Sequence, residues 1–449
     1  MRKNLSPKEL LIMGGGLFSM HFGAICLLYP VTWGNDAGSA VWSAYLGIFL
    51  SGIVLPFLGY VALVKGRGNF LDIARRASPV FGLFFVAATI LVLGPFFVVP
   101  RVTAALWAAV LQLTGWRPVG KTAILLFNGA FYAVIYVFVA SSGKVVERIG
   151  RILFPVLMAI VVSVIVQSIV APLSPSWVKP SFDENPVVHG FLAGYAAGDL
   201  QCALLYGLVV VRGIHDAGIA GEDVNRNLIK IGVIGLGLLA LAHLGHMIAG
   251  ANIGGTIRLN LAALYVQMVV ELWGPAGGRV FLVALATASL TATIGITSST
   301  AGIWEKILGG RASYRQICAA SCVISGLVSS TGIDAIVTVV GPVLDACYPG
   351  AIVITFFYCF CRHNNSRRNL FALKCAMIAA AVMGGAALLN VYAGLFHLDL
   401  PRFASFYAAL PLSASSLAWI PASIAAYAVA WLGAAHRSGE VNVDGLEIE

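Results

Sequence analysis

Asp199 and Gln201 sit in the middle of an otherwise apolar run, Gly194-Tyr-Ala-Ala-Gly198-Asp199-Leu-Gln201-Cys-Ala-Leu-Leu-Tyr206-Gly207. A charged carboxylate at mid-bilayer costs at least about 3 kcal/mol unless it is paired or hydrated. Asp199 therefore marks either a ligand site or a packing hydrogen bond that keeps its proton. A second interruption lies near the start, in Phe18-Ser19-Met-His21-Phe22-Gly23-Ala24-Ile25-Cys26-Leu-Leu-Tyr-Pro30. A helix broken inside a membrane frees amides and carbonyls that lipid cannot satisfy, so such a break must face a protein-enclosed cavity. The competing reading of the glycine is close helix packing. His21 admits two readings, a proton-sensitive group or a hydrogen-bonded structural histidine.

Two further stretches carry polar chemistry. In Leu290-Thr-Ala-Thr-Ile294-Gly295-Ile-Thr297-Ser298-Ser299-Thr300 six of the eleven residues bear hydroxyls. Neutral oxygen ligands suit a weakly hydrated alkali cation better than Mg²⁺, and the alternative is hydroxyls bonded to their own helix carbonyls. In Gly94-Pro95-Phe96-Phe97-Val-Val-Pro100-Arg101, two prolines weaken the helix. Arg101 needs a carbonyl, carboxylate or water partner there, as a gate or as a snorkelling anchor. His243 and His246, three residues apart, have no evident third ligand and read as polar packing or a water path. Asp345 follows Gly341-Pro342, another candidate kink. The eight cysteines fall in or beside apolar runs; Cys318 and Cys322 share a helix face without a completing His or carboxylate, so all read as free buried thiols.

The elements that must hold these groups are membrane helices. Of 449 residues, 59% are hydrophobic and 10% charged, with a mean hydropathy of +0.90; an ordinary soluble domain carries about 25% charged residues. The pattern predicts an all-α polytopic membrane protein with about twelve spans, at 10–33, 40–64, 80–112, 121–140, 151–171, 187–213, 228–252, 277–304, 313–331, 334–361, 370–393 and 411–433. Several exceed the roughly 20 residues of a straight crossing, which implies tilt or interruption. The basic start followed by a long apolar run without a cleavage site predicts a retained first helix.

Charge supports this count. With the N-terminus inside, 21 of the 28 Lys and Arg fall on inside segments and six outside, with Arg101 in a span. Both termini are thus expected in the cytoplasm. The net charge of +9 follows from these loops, and its natural partner is anionic lipid, not nucleic acid. There is no Walker A motif and no room for a nucleotide-binding module, which argues against direct ATP drive or an ATPase subunit. Residues 69–78 suit a short interfacial helix, 261–273 a lid or re-entrant helix too short to cross, and 438–449 a disordered polar tail.

Gly198 lies 175 residues after Gly23. Spans one and six then hold equivalent places in two five-span halves, 10–171 and 187–361, with 370–433 as two extra helices. Five is odd, so the second half is inverted. Paired interruptions at matching positions point to a transporter site near the midplane.

On these motifs the chain resembles the branched-chain amino acid:cation symporter family of the carrier II type, within the amino acid-polyamine-organocation superfamily. The resemblance spans nearly the whole chain. It rests on Leu17-Phe-Ser-Met-His-Phe-Gly-Ala, Gly94-Pro-Phe-Phe-Val-Val-Pro-Arg101, Gly194-Tyr with Asp199, Leu290-Thr-Ala-Thr-Ile-Gly-Ile-Thr-Ser, and Gly341-Pro-Val-Leu with Tyr348-Pro-Gly-Ala-Ile-Val. It implies a LeuT-like inverted five-plus-five fold with broken helices one and six. It further implies Na⁺-coupled uptake of leucine, isoleucine and valine across a bacterial inner membrane, with no enzymatic activity and no cofactor beyond the coupling ion, H⁺ being the other candidate. Substrate would contact Gly23, Ala24, Ile25, Cys26, Phe96, Gly198, Asp199 and Gln201. The cation would lie between Ser19 and Phe22 of span one and Ile294, Thr297 and Ser298 of span eight, with Arg101 at a gate. The chain departs from the family's usual Phe-Gly-Ala-Gly-Asn by reading Phe22-Gly-Ala-Ile25-Cys26, which removes a flexible backbone position and a side-chain ligand. The alternative reading is a proton-coupled carrier or exporter of another small amino acid or organic solute. An intramembrane enzyme would need convergent acid, base or metal groups, and a sensor a signalling domain; neither pattern is present.

Overall fold

The computed structural model describes residues 3–140, 145–255 and 261–434. The expected tail at 438–449 lies outside them, as do Arg2, Lys144, Arg258 and Arg437. The described chain is all-helical. The first half holds α1 (Pro7–His21), α2 (Ala24–Ala37), α3 (Val41–Phe49), α4 (Leu55–Gly66), the short α5 (Phe70–Ala77), α6 (Pro79–Leu91), α7 (Val98–Thr114), α8 (Thr122–Val139), α9 (Val145–Arg148) and α10 (Phe154–Val170). The second half holds α11 (Pro186–Ala196), α12 (Asp199–Asp216), α13 (Glu222–Ala251), α14 (Leu261–Trp273), α15 (Pro275–Ile307), α16 (Tyr314–Ser329) and α17 (Ile333–Phe360). After it come α18 (Arg367–Leu395), α19 (Pro401–Ala408) and α20 (Trp419–Gly433).

The expected spans coincide with these helices or helix pairs to within several residues. Among the described residues, eight helical segments are long and apolar enough to cross a membrane, and nine when the bent pair α11/α12 counts as one. The helices α1, α16 and α20 fall short of that length, and α2 to α4 count there as one segment, Ala24–Gly66.

Three π-helical turns interrupt the long helices, at Leu50–Val54, Val92–Phe96 and Ile149–Leu153. Each contains or shortly precedes a proline: Pro56, Pro95 and Pro155. Proline removes a helix donor and crowds the carbonyl one turn back, and the widened turn absorbs that misfit. The second of these turns lets span three bend at Gly94 (φ −80°, ψ −110°) beside the site.

Two apolar cores lie on either side of α12. Ala203, Tyr206, Val209, Val210 and Ile214 join a core with α1, α2, α13 and α15. Leu200, Leu204, Leu205 and Leu208 join a second core with α4, α6, α17 and α18. The short helix at 69–78 differs from expectation. Asn69 caps it, and Phe70, Ile73 and Ala74 are fully buried against protein, so its apolar face covers α6 instead of lying in the lipid interface. The helix at 261–273 is present and too short to cross; Leu264, Tyr265 and Met268 pack it onto its neighbours.

Contact between α2 and α13 is backbone to backbone. A Cβ on Gly34 would overlap the Met247 carbonyl, and one on Gly250 would overlap the Val31 carbonyl. Small residues permit this approach, which dispersion and close packing reward. Gly250→Ala should therefore lower stability by about 1–3 kcal/mol, the usual cost of overpacking. Gly237→Ala, on the same helix with open space around the new methyl, should be neutral. Thermal denaturation of the two purified variants checks the contrast.

Candidate functional site

The first break lies at Phe22 and Gly23. Phe22 leaves helical geometry at φ −77°, ψ 63°, and Gly23 is extended at φ −76°, ψ 178° before α2 begins. The Gly23 amide donates to His21 O (2.8 Å) instead of continuing the ladder to Ser19 O. The Met20 carbonyl receives the Tyr206 hydroxyl (2.9 Å). The interruption thus releases the Ser19 and Phe22 carbonyls from their i+4 donors and leaves the amides of Ala24, Ile25 and Cys26 as the unpaired first turn of α2. A Cβ on Gly23 would come within 2.8 Å of Ala292 Cβ, so the break is pressed against α15.

The second break lies at Ala197 and Gly198. Gly198 adopts φ +76°, a conformation that costs side-chain-bearing residues about 1–2 kcal/mol. The chain bends by 43° there and restarts with Asp199 as the first residue of α12. A carboxylate in the first turn of a helix meets the positive end of its dipole.

The two breaks meet through side chains. His21 Nδ1 lies 3.3 Å from Asp199 Oδ1, and His21 Nε2 lies 2.9 Å from the Tyr60 hydroxyl. Both side chains are almost completely buried, at 0% and 4% exposure. Tyr206 packs edge-on to the imidazole with ring centres 4.9 Å apart. With the carboxylate ionised and the ring neutral, Nδ1–H donates to Oδ1, and Nε2 accepts from Tyr60. The second oxygen, Oδ2, has no partner among the described residues, and neither do the Gln201 amide atoms or the Ser19 hydroxyl, all buried. Buried polar atoms without partners are rare in proteins, and here three residues carry them at the helix breaks.

Other predicted residues are placed as follows. Arg101 is buried, with its guanidinium 4.3 Å over the Phe97 ring and Asp345 within electrostatic reach. Of the aromatic pair, Phe97 is buried while Phe96 is 41% exposed, so Phe97 forms the inner wall and Phe96 turns away. In α15, Gly295 meets Met20, Ala292 meets Gly23, and Gly302 meets Leu208 and Arg212 of α12. At about 100° per residue, Ser299 lies on that same face. Ile294 lies to its side and Thr297 nearly opposite; Thr300, on the far side too, approaches Gly94 of span three. By helix phase Ser299 lies nearest the face that meets α1, Ser298 lies beside it toward α16, and Thr297 lies on the opposite side. Ser298 Oγ pairs with the Tyr314 hydroxyl at 2.7 Å, and Ser299 Oγ donates to Gly295 O at 2.8 Å.

Tyr60, Tyr206 and the partnership of His21 with Asp199 were not visible in the sequence. The one available signal was that a mid-span carboxylate needs a partner. His243 adds another such group: both ring nitrogens are buried without partners among the described residues, against Phe22 and Trp33. His246 is satisfied by Ala242 O and Tyr265 OH. No cluster of three or more His, Cys, Asp or Glu able to hold a metal occurs among the described residues. A cavity of about 860 Å³ between α4, α11, α17, α18 and α20 is apolar and does not include these residues.

The sequence profile of the family described as branched-chain amino acid transport protein matches residues 6–436. The branched-chain amino acid permease BraB of Bacillus subtilis is 31% identical over 382 residues, covering 83% of this chain and 84% of its own. The branched-chain amino acid transport system 2 carrier protein of Pseudomonas aeruginosa is 30% identical, covering 94% and 95%. Among solved structures, Mhp1, a nucleobase-cation-symport-1 family transporter, superposes with a TM-score of 0.58 at 14% identity, covering 97% of this chain and 94% of its own. A Na⁺-coupled sialic acid symporter gives 0.59 at 14% identity, covering 96% and 91%. These likenesses show the LeuT-like transporter fold.

Removing one member of a buried pair costs about 3–5 kcal/mol because the other charge is stranded, whereas removing both is far milder. His21→Leu should therefore lower the melting temperature more than the double change His21→Leu with Asp199→Leu. A double-mutant cycle read by thermal melting tests this; equal or larger loss in the double variant would contradict the pairing.

Proposed function

From the premise that the chain belongs to the branched-chain amino acid transport protein family, we propose that it carries leucine, isoleucine and valine inward with Na⁺. It is a multi-pass membrane carrier and not an enzyme. The observation that carries the proposal is the meeting of two helix breaks around Asp199 Oδ2 and the first-turn amides of α2. These are opposite-sign anchors for a zwitterion: helix-end amides take its carboxylate, and Asp199 takes its ammonium. The apolar side chain then lies among spans one, three and six, with Ile25 and Cys26 supplying bulk but no side-chain ligand.

The cation site combines the Ser19 and Phe22 carbonyls with Ser298 and Ser299. Ser299 Oγ reaches back to the Gly295 carbonyl beside Met20, and Ser298 precedes it on the same helix. Cation binding there braces the broken α1 against α15 and favours the state open to the outside. Twelve crossings in two inverted five-span repeats plus two helices, both termini cytoplasmic in an inner membrane, complete the proposal. Rocking of one repeat bundle against the other exposes the site to each side in turn, driven by the ion gradient with no ATPase subunit.

The test is uptake of radiolabelled leucine, isoleucine and valine into proteoliposomes with and without an inward Na⁺ gradient. Gradient-dependent accumulation is expected. Folded protein that takes up none of the three would overturn the substrate assignment, and equal uptake without Na⁺ would overturn the coupling. Replacing both Ser298 and Ser299 by Ala should raise the half-saturating Na⁺ concentration about tenfold, the equivalent of roughly 1.4 kcal/mol, while Thr297→Ala changes it little. Unchanged Na⁺ activation in the double variant would remove these serines from the site.

A further inference from the structure

We propose that the apolar cavity bounded by α4, α11, α17, α18 and α20 binds one anionic phospholipid, with an acyl chain in the groove and the headgroup on the basic turn between α17 and α18. The site includes neither Asp199 nor any residue of the first break, so it stands apart from the solute the carrier moves.

The dimensions fit one lipid chain. The cavity measures about 860 Å³ and its lining is almost wholly apolar; small-ligand sites span about 300–1,000 Å³. It follows two helices that run side by side. On α17 it touches a stripe from Ile352 to Phe360, and on α20 a stripe from Trp419 to Ala428. At about 1.5 Å per residue each stripe is about 12–14 Å long. One leaflet is about 15 Å of hydrocarbon, half of a core of about 30 Å. The groove is thus about one leaflet deep. It is also open sideways, since Phe360 and Ile424 line it while 68% and 65% exposed. An apolar surface open on the flank of a membrane helix meets lipid tails, not water.

Charge identifies the headgroup. The α17 stripe ends at Phe360, and Arg362, Arg367, Arg368 and Lys374 follow within residues 361–374, which contain no carboxylate. The C-terminal end of α20 comes to the same place. Arg368 lies 3.6 Å over the Trp431 ring and donates from Nε to the Trp431 carbonyl at 2.7 Å. The Trp431 indole in turn donates to Asn369 Oδ1 at 2.8 Å. Arg368 is therefore held in place by protein, and a guanidinium fork suits a phosphate. Its charge also reaches Tyr427, which lines the groove. Tryptophan is enriched at headgroup depth, and basic pockets between membrane helices take anionic headgroups. A second copy of the chain is a poorer occupant. Neither α18 nor α20 contains an acidic residue, so a two-fold contact through them would set like charges together.

The deep end of the groove is closed by Phe191 and Tyr195 of α11. This is the half of span six that ends at the Gly198 bend, and Tyr195 packs edge-on to Tyr348 of α17 with ring centres 4.5 Å apart. A lodged chain braces α11 against α17 and α20. The helices that follow the second repeat thereby acquire a role as the outer wall of a lipid site.

The test is native mass spectrometry of the full-length protein in detergent, with dioleoylphosphatidylglycerol or dioleoylphosphatidylcholine at equal concentration. One retained phosphatidylglycerol per chain is expected, bound about tenfold more tightly than phosphatidylcholine. Arg362→Gln with Arg367→Gln, at two exposed positions, should weaken phosphatidylglycerol about tenfold and leave phosphatidylcholine unchanged. Ala428→Trp sets an indole in the groove from an exposed lining position and should abolish retention. Thermal melting verifies the folding of each variant. Equal retention of the two lipids by the unaltered protein overturns the proposal, as does undiminished phosphatidylglycerol retention by folded Ala428→Trp. A dimer that Ala428→Trp splits into monomers, with lipid retention unchanged, assigns the face to a second copy and overturns it too. Should Ala428→Trp fail to fold, the paired arginine variant decides, and unchanged lipid selectivity there overturns the site.

Discussion

A carboxylate inside a membrane must be given a counter-charge or a proton, and the middle of this molecule is organised around that demand. Asp199 is tolerable because it begins a helix, where the backbone dipole favours negative charge. It is tolerable also because His21 arrives from the opposite half of the chain. For His21 to arrive, α1 must stop there, and for Asp199 to begin a helix, α11 must stop just before it. The two interruptions are thus one requirement met from two sides. Gly198 supplies the left-handed turn at one break, and Gly23 supplies the thin backbone that fits against Ala292 at the other.

Other contacts hold this arrangement at the right depth. Tyr206 ties α12 to the Met20 carbonyl. Tyr60 reaches in from α4 to hold the far side of the imidazole. The two apolar cores on either side of α12 keep nearly its whole length buried. The polar side chains at the breaks, Ser19, His21, Asp199 and Gln201, are all buried, so the structure is a closed one. Opening must loosen contacts such as that between Met20 and Gly295, where α1 leans on α15. A cation at Ser298 and Ser299 would act on that contact. On the proposed transport reading, both sites would act on one element, the broken α1.

Spans, breaks and the mid-span carboxylate were legible in the sequence because each violates or obeys hydrocarbon solvation over a local window. Pairing was not. His21 and Asp199 are 178 positions apart, and no local pattern joins them. Helix phase was the other loss. Six hydroxyls in eleven residues announce polar chemistry but not which face meets α1. That was decided by where Gly295 and Ala292 let α1 approach, which leaves Ser299 nearest that face, Ser298 paired with Tyr314 of α16 and Thr297 on the far side by helix phase. The same holds for Phe96 and Phe97, where the bend at Gly94 selects the second ring. The helix at 70–77 read as interfacial because amphipathicity alone does not tell lipid from a protein neighbour.

The replacement of the family's usual Gly-Asn by Ile25-Cys26 has a meaning once the breaks are seen together. A side-chain amide at position 26 would be a neutral ligand close to the centre, and a thiol there supplies neither a strong donor nor an acceptor. The chain between Ser19 and Cys26 then offers one hydroxyl, one imidazole and backbone. Of these, the imidazole is the group placed against Asp199. This chain's first break presents an imidazole that is hydrogen-bonded to that carboxylate, so Asp199 is held by the opposite half of the chain before any ligand arrives.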